Sequence, residues 1–422
     1  MFERLCMGWH LPVVAAILIG IGGWSGAGEA GERIGGFGTE TQGGRGGRII
    51  RVTNLRSEGP GSLREALSAG GPRIVVFEVA GVIDLAKKSI SIVEPFLTVA
   101  GQTAPSPGIT VIRGGISILA YDVRIEHIRV RVGDAGQGKR SGWEPDGIGT
   151  SAAYNVVVDH CSISWAVDEN LSASGPRYEG PQKTSRNITF SNCIIAEGLN
   201  DSSHGKGRHS KGSLIHDNCT NIAVIGNLYA HNVTRNPYFK AFTTGVVVNN
   251  VIYNPGGAAI QVNWPASEWR TKAVQPENAK ISVVGNVMIH GADTREGLAL
   301  VSSKGDVYME DNIATDREGK PVRLTSGAIR ILENKPVWPD GLEALPADKT
   351  LEYVARHAGA RPRDRDEVDK RIIRELREKK GRIIDSQEDV GGYPTSEPKR
   401  RKLVVPPDKM DAWLARLAAE LE

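Results

Sequence analysis

Cysteine is scarce in this chain: four in 422 residues, one of them, Cys6, ahead of an N-terminal apolar segment. The odd number that remains excludes a scaffold defined by disulfides. Aromatic residues make up only 6%, charged residues 24%, and the formal net charge is +3. No strong global field therefore steers a nucleic acid or a membrane surface, and a polyanion would have to be recognised by a local patch. The apolar stretch from Leu11 to Trp24 falls short of the roughly 20 residues of a membrane span. Preceded by Arg4 and followed by small residues to Ala27 or Ala30, it reads as a signal peptide over residues 1–30. The expected product is exported, whether secreted, periplasmic or at the cell surface, with no stable membrane insertion afterwards. Residues 31–48 form a Gly-rich leader without periodicity.

What is abundant is a repeat. Seven β-branched or aromatic runs end in His or Asn, at His127, His160, Asn192, Asn227, Asn250, Asn286 and Asn312, with gaps of 33, 32, 35, 23, 36 and 26 residues. A short strand recurring at this period, with a polar residue at one bend, is the mark of a solenoid. The runs have period-2 character and no 3.6-residue stripe, which argues against helical repeats. After the bend, Ile128, Cys161, Cys193, Leu228, Val251, Val287 and Ile313 read as one apolar column. The expected fold is all-β, a right-handed parallel β-helix over residues 49–334, with Asn amides bonding one another at the bend. Cys161 and Cys193 fall at one position in successive coils, either as stacked buried thiols or as a disulfide between coils.

From about Lys335 the pattern turns helical, giving a short α-helical C-terminal extension over residues 335–422. Leu351, Val354 and Ala355 lie at helical spacing, as do Val368, Ile372, Ile373 and Leu376. Met410, Trp413, Leu414, Leu417 and Leu421 form a third stripe behind Pro406-Pro407, with a candidate N-cap at Asp408. This extension is expected to pack along the solenoid or cap its open end, with the basic run Lys399 to Lys402 as a solvated linker.

Three clusters in consecutive coils could carry chemistry. Asp146, Asp168 and Glu169 offer the oxygen ligands that a hard cation such as Ca²⁺ requires, or are turn residues bonding their own backbone. The loop Ser203-His204-Gly-Lys206-Gly-Arg208-His209-Ser-Lys211 suits contacts with anionic groups. A zinc site there is disfavoured, because no Cys or acid stands at ligand spacing beside its histidines. The third cluster is Arg235-Asn236-Pro237 followed by Lys240.

Over roughly residues 40–320 the chain resembles a bacterial pectate lyase of polysaccharide lyase family one. The resemblance rests on Gly61-Ser-Leu-Arg-Glu-Ala-Leu67, Val99-Ala-Gly-Gln-Thr-Ala-Pro105, Asp146-Gly-Ile, Val157-Val-Asp-His160 with Ser164-Trp-Ala-Val-Asp168-Glu169, and Arg235-Asn-Pro237. It implies Ca²⁺-dependent β-elimination on α-1,4-linked polygalacturonate or pectin, by an enzyme expected to act as a monomer. Position by position it implies Asp146 and Asp168 as calcium ligands with Glu169 as a neighbour, and Arg235 as the catalytic base. It further implies Lys211 and Lys240 as substrate-binding residues, beside His209 and Lys206 of the basic loop. Near Asp146 the family often has a further acidic ligand, for which this chain offers only Glu144. Asp168-Glu169 is also more compact than the family's usual acid pair. Two other readings are a β-helical glycoside hydrolase using Asp168, Glu169 and Asp201 as its carboxylates, and a non-catalytic carbohydrate-binding β-helix.

Overall fold

The computed structural model describes residues 35–422. The expected signal peptide and the start of the Gly-rich leader lie outside the described residues. Among the described residues no helix is long and apolar enough to cross a membrane.

The architecture is a parallel β-helix in which each coil lays down up to three short strands. In one coil these are Ile148–Ser151, Tyr154–Asp159 and Ser162–Ser164, which define a first, second and third column. Each strand pairs in parallel with the coils before and after it. Ile148 lies opposite Ile116 and Leu171, Val158 opposite Ile125 and Phe190, and Ile163 opposite Val130 and Ile195. Alternate residues point inward, so Ile125, Val158, Phe190, Val224, Val247 and Val283 stack as one buried row of the second column. Burying each such side chain contributes roughly 2 kcal/mol. Strands of this length hold only because the next coil covers them.

The bend between the second and third columns explains the recurrent polar residue. His127, His160, Asn192, Gly226, Asn249, Gly285 and Asp311 all have positive φ, between 43° and 68°. Glycine adopts that region freely, and Asn, Asp and His are the side chains most often found there. The next position holds the amide stack: Asn227 Nδ2 donates to Asn250 Oδ1, Asn250 to Asn286 and Asn286 to Asn312, each at 3.0 Å. The same oxygens accept the backbone N–H one coil earlier, as Asn250 Oδ1 does from Asn227 at 2.9 Å.

These two positions correct the apolar column read from the sequence. Ser191 pairs with Ile225 and Ile194 with Leu228, which sets Asn192 opposite Gly226 and Cys193 opposite Asn227. Ile128, Cys161 and Cys193 therefore continue the amide row, while Leu228, Val251, Val287 and Ile313 continue a row from Arg129, Ser162 and Ile194. Both a left-handed bend and an amide stack select Asn, at adjacent positions, so the letters alone shifted the register by one. Cys161 and Cys193 are free, buried thiols, which removes the disulfide alternative.

A short helix, Leu63–Ser68, capped by Ser62, buries Leu63, Ala66 and Leu67 at the N-terminal end of the solenoid. The C-terminal extension covers flanks and, through Lys399–Arg400, pairs with the free edge of Val79–Asp84, the first strand of the third column. Helices Ala347–His357 and Glu367–Glu378 set Val354, Ala355, Val368, Ile372, Ile373 and Leu376 against Ile194, Leu228, Val251 and Val287 of the third column. That outward face is apolar and has to be covered. In the earlier coils the same column carries buried Arg129 and Arg131, answered by Asp366 and Asp369, with Arg131 2.8 Å from Asp369.

Three details depart from expectation. Leu351 points away from the solenoid and is 37% exposed. The last helix, Met410–Ala419, begins after Lys409 in a left-handed conformation with no side-chain cap, so Asp408 is not its N-cap. The basic run is no free linker: Lys399–Arg400 pairs antiparallel with Val79 and Ala80, and Arg401 donates to the Thr103 carbonyl at 2.8 Å. These contacts seat Leu403 and Leu414 over Ile74, Val76 and Ala100 of the second column.

Candidate active site

Four consecutive connections from third to first column carry the charged residues. Ile148 opposite Leu171 sets Asp146 opposite Glu169; Glu169 bridges to Lys211, and Lys211 to Thr234. Asp146, Glu169, Lys211 and Thr234 thus occupy one register position in successive coils, about 4.8 Å apart along the stack. Asp168 precedes this line and Arg235 follows it.

Two carboxylates of one coil lean on that of the coil before. Oxygens of Asp146, Asp168 and Glu169 lie within 4.8 Å of one another. Asp146 is held by the Glu169 backbone N–H at 3.0 Å and the Ser172 hydroxyl at 2.9 Å. Burial, followed by the neighbouring Asp168 carboxylate, pushes Asp146 up to about 7. Asp168 goes the other way: burial would raise it, but the hydrogen bond from His209 at 2.7 Å prevails and keeps it below the usual carboxylate range. Three clustered carboxylates, Glu169 buried and Asp146 and Asp168 half-buried, with Asp146 driven toward protonation by burial and Asp168, fit a hard divalent cation, which would relieve the repulsion.

Glu169 is ion-paired to Arg235. Arg235 has φ of 64°, uncommon for a side chain of this size, and Gln261 Oε1 fixes its backbone N–H at 2.9 Å. Burial lowers the guanidinium from its ordinary value, with Asp168 opposing. Lys211 Nζ donates to Thr234 Oγ1 at 2.9 Å, and burial lowers its ammonium too, again against Asp168.

The remaining candidates divide. His209 is buried and bonded to Asp168, stacked 3.8 Å from the His204 ring. Asp168 therefore reaches both loop histidines from the preceding coil, an acid that linear spacing could not show. Glu144 turns to the same loop, accepting from the Gly205 N–H at 3.1 Å, and stays outside the three-carboxylate group. Lys206 stands exposed at the loop tip. Lys240 lies past the first-column strand Tyr238–Phe239, 5% exposed, in ion pairs with Glu268 and, at 3.3 Å, Asp217. Asp201 is paired with Lys139 at 2.8 Å, away from the acid group. Sequence reading missed Ser172, Thr234, Gln261 and Glu268, ordinary strand and helix residues that become partners only when coils stack.

No family model matches the chain. Among curated proteins, probable pectate lyase C of Aspergillus flavus is 33% identical over 369 residues, covering 85% of this chain and 80% of its own length. The chain belongs to the pectate lyase family. The Emericella nidulans pectate lyase C is likewise 33% identical, over 372 residues and 78% of its length. These relatives are fungal, so the bacterial character of the sequence resemblance is not supported. Membership in this family of polysaccharide lyases also sets aside the hydrolase reading. Solved structures agree on the fold: the cedar pollen allergen jun a 1 has a TM-score of 0.55 at 15% identity, covering 77% of this chain and 92% of its own. A pectate lyase bound to hexasaccharide has a TM-score of 0.53 at 15% identity, covering 78% and 97%.

Proposed function

We propose that this pectate lyase family member is an exported enzyme that cleaves α-1,4-linked polygalacturonate by calcium-dependent β-elimination, releasing unsaturated oligogalacturonides. The observation that carries the reading is the line across four coils, where an acid cluster, Lys211 and Arg235 succeed one another along one edge of the solenoid. An extended polyuronate laid along that edge would meet a cation site, an ammonium and a guanidinium in register.

Asp146, Asp168 and Glu169 would hold Ca²⁺. Bound there, the ion supplies Lewis-acid withdrawal of charge from the uronate carboxylate, which acidifies the adjacent C5 proton. Lys211 binds the same carboxylate and stabilises the negative charge that develops on it. Arg235 takes the C5 proton, and O4 departs as the double bond forms. Guanidinium is ordinarily no base, but burial already lowers Arg235, and its present partner is Glu169. Were Glu169 engaged as a cation ligand, Arg235 would be released from this ion pair and could face the substrate. His209 orients Asp168, and Lys240 joins substrate binding only by exchanging Glu268 for a uronate.

The test is ultraviolet absorbance of the unsaturated product from purified protein and polygalacturonate at alkaline pH, with calcium and then with excess chelator. A calcium-dependent rise supports the lyase. New reducing ends without absorbance would mean hydrolysis, and neither would leave a carbohydrate-binding protein.

A further inference from the structure

A second cluster of ligating side chains lies at the bend between the second and third columns, separate from Asp146 and Arg235. We propose that His127, His160 and Glu422 form a binding site for a divalent transition metal of the zinc class, which ties the C-terminal segment to the solenoid.

Both imidazoles are prepared as ligands. His127 Nδ1 lies 2.9 Å from the Ala360 carbonyl, and His160 Nδ1 lies 2.9 Å from Asp159 Oδ2. In the neutral ring each contact places the proton on Nδ1 and leaves Nε2 as a lone pair, the carboxylate–histidine and carbonyl–histidine arrangement that supports metal-bound imidazoles. His160 is 4% exposed, and its Nε2 is buried with no hydrogen-bond partner. His127 Nε2 is 3.6 Å from Glu422 Oε1, close to the roughly 3.4 Å that separates two ligand atoms on a tetrahedral zinc. His160 approaches the same oxygen through Nδ1 at 3.7 Å, so the Glu422 side chain has to shift toward the free Nε2 to share an ion with it.

One nitrogen of each ring and a Glu422 oxygen lie within 4.8 Å of one another. The rings are nearly parallel, 5.1 Å apart at 12°, as expected from one bend position in successive coils. Burial lowers His127 to about 4, so it is already the neutral ligand. On His160 burial is outweighed by Asp159, so the metal has to displace a proton there.

Three protein ligands leave a fourth position for water, and the site opens onto a cavity of about 670 Å³ beneath the last helix. Imidazole nitrogen selects zinc-class ions over calcium, which separates this site from the oxygen-lined active site. Its ligands come from two coils and the C-terminal segment, so an ion here would fasten that segment down.

The full-length protein, stripped with chelator, is titrated with Zn²⁺ by calorimetry and with Co²⁺ by visible absorption. One equivalent bound, with a cobalt d–d band and a thermal midpoint that rises with Zn²⁺, is expected. Glu422 lies at the cavity rim, so Glu422→Gln should fold normally and bind at least tenfold more weakly, on the order seen when metal sites lose supporting groups. His160→Gln should abolish the band. His209→Gln, which alters the other histidine-containing cluster, should leave the titration unchanged. No binding by the wild type, or binding that survives Glu422→Gln and falls with His209→Gln, overturns the proposal. Calcium-dependent turnover is followed in parallel in Glu422→Gln, so a failure of the lyase reading is seen separately.

Discussion

Two bends of the same coil stack one polar side chain per turn, with opposite results. At the bend between second and third columns the stacked groups are amides. Each of Asn227, Asn250 and Asn286 donates to the next oxygen and accepts from the previous coil. An amide is its own complement, so repetition satisfies every polar atom. At the bend between third and first columns the stack begins with carboxylates, which repel. There Asp146 is pushed up to about 7 by burial and Asp168, and Arg235 is drawn onto Glu169. The same translational stacking that completes one column leaves the other charged and incomplete, and the incomplete column is the one suited to binding a cation and an anionic chain.

The sharpest way to break this contrast is at Arg235. Arg235→Lys keeps the charge but not the guanidinium, and kcat for polygalacturonate should fall about a thousandfold, the middle of the range for loss of a proton-transfer group. Unfolding in urea should change little, and a variant retaining most of its kcat would remove Arg235 from the base role.

Next comes the amide side. Asn250→Ala leaves the Asn227 N–H and the Val224 carbonyl without their partner and should cost about 3 kcal/mol in urea unfolding, with kcat of the folded fraction unchanged.

A third case shows like charges stacked and fully answered. Arg129 and Arg131 meet Asp366 and Asp369 of the extension. Burial would raise Asp366, but Arg131 and Arg129 hold it down to about 2. A carboxyl lower in the folded than in the unfolded chain stabilises the fold above the unfolded value, about 3.9, and this contribution disappears as pH falls toward the folded value. Asp366→Asn should therefore remove about 2 kcal/mol at neutral pH and flatten the loss of stability between pH 4 and 2, read from thermal midpoints across that range.

The smallest effect in the folded protein is expected at Asp146. Asp146→Asn replaces one of two repelling carboxylates with an amide, so the chelator-treated variant should be no less stable than wild type at pH 8. The same change should weaken calcium binding by calorimetry at least tenfold, since a charged ligand is lost. A large loss of stability without calcium would show that Asp146 is a structural turn residue instead.

The sequence by itself determined the solenoid, because coils must repeat inward-facing Val and Ile and must place Asn, Gly, Asp or His where φ is positive. It also carried Asp146, Asp168, Glu169, Lys211 and Arg235 as residues one coil apart, which is enough to suggest a shared edge. It could not separate the bend row from the amide row, since both favour Asn and differ by one position. Nor could it show that His209 belongs to Asp168, that Lys240 is spent on Glu268 and Asp217, or that His127 and His160 converge with Glu422. Those pairings join residues 23 to 295 positions apart in the chain. Only the stacking of coils and the return of the C-terminal segment along the flank decide them, because hydrogen bonds and charges act over a few ångströms of space and not along the sequence.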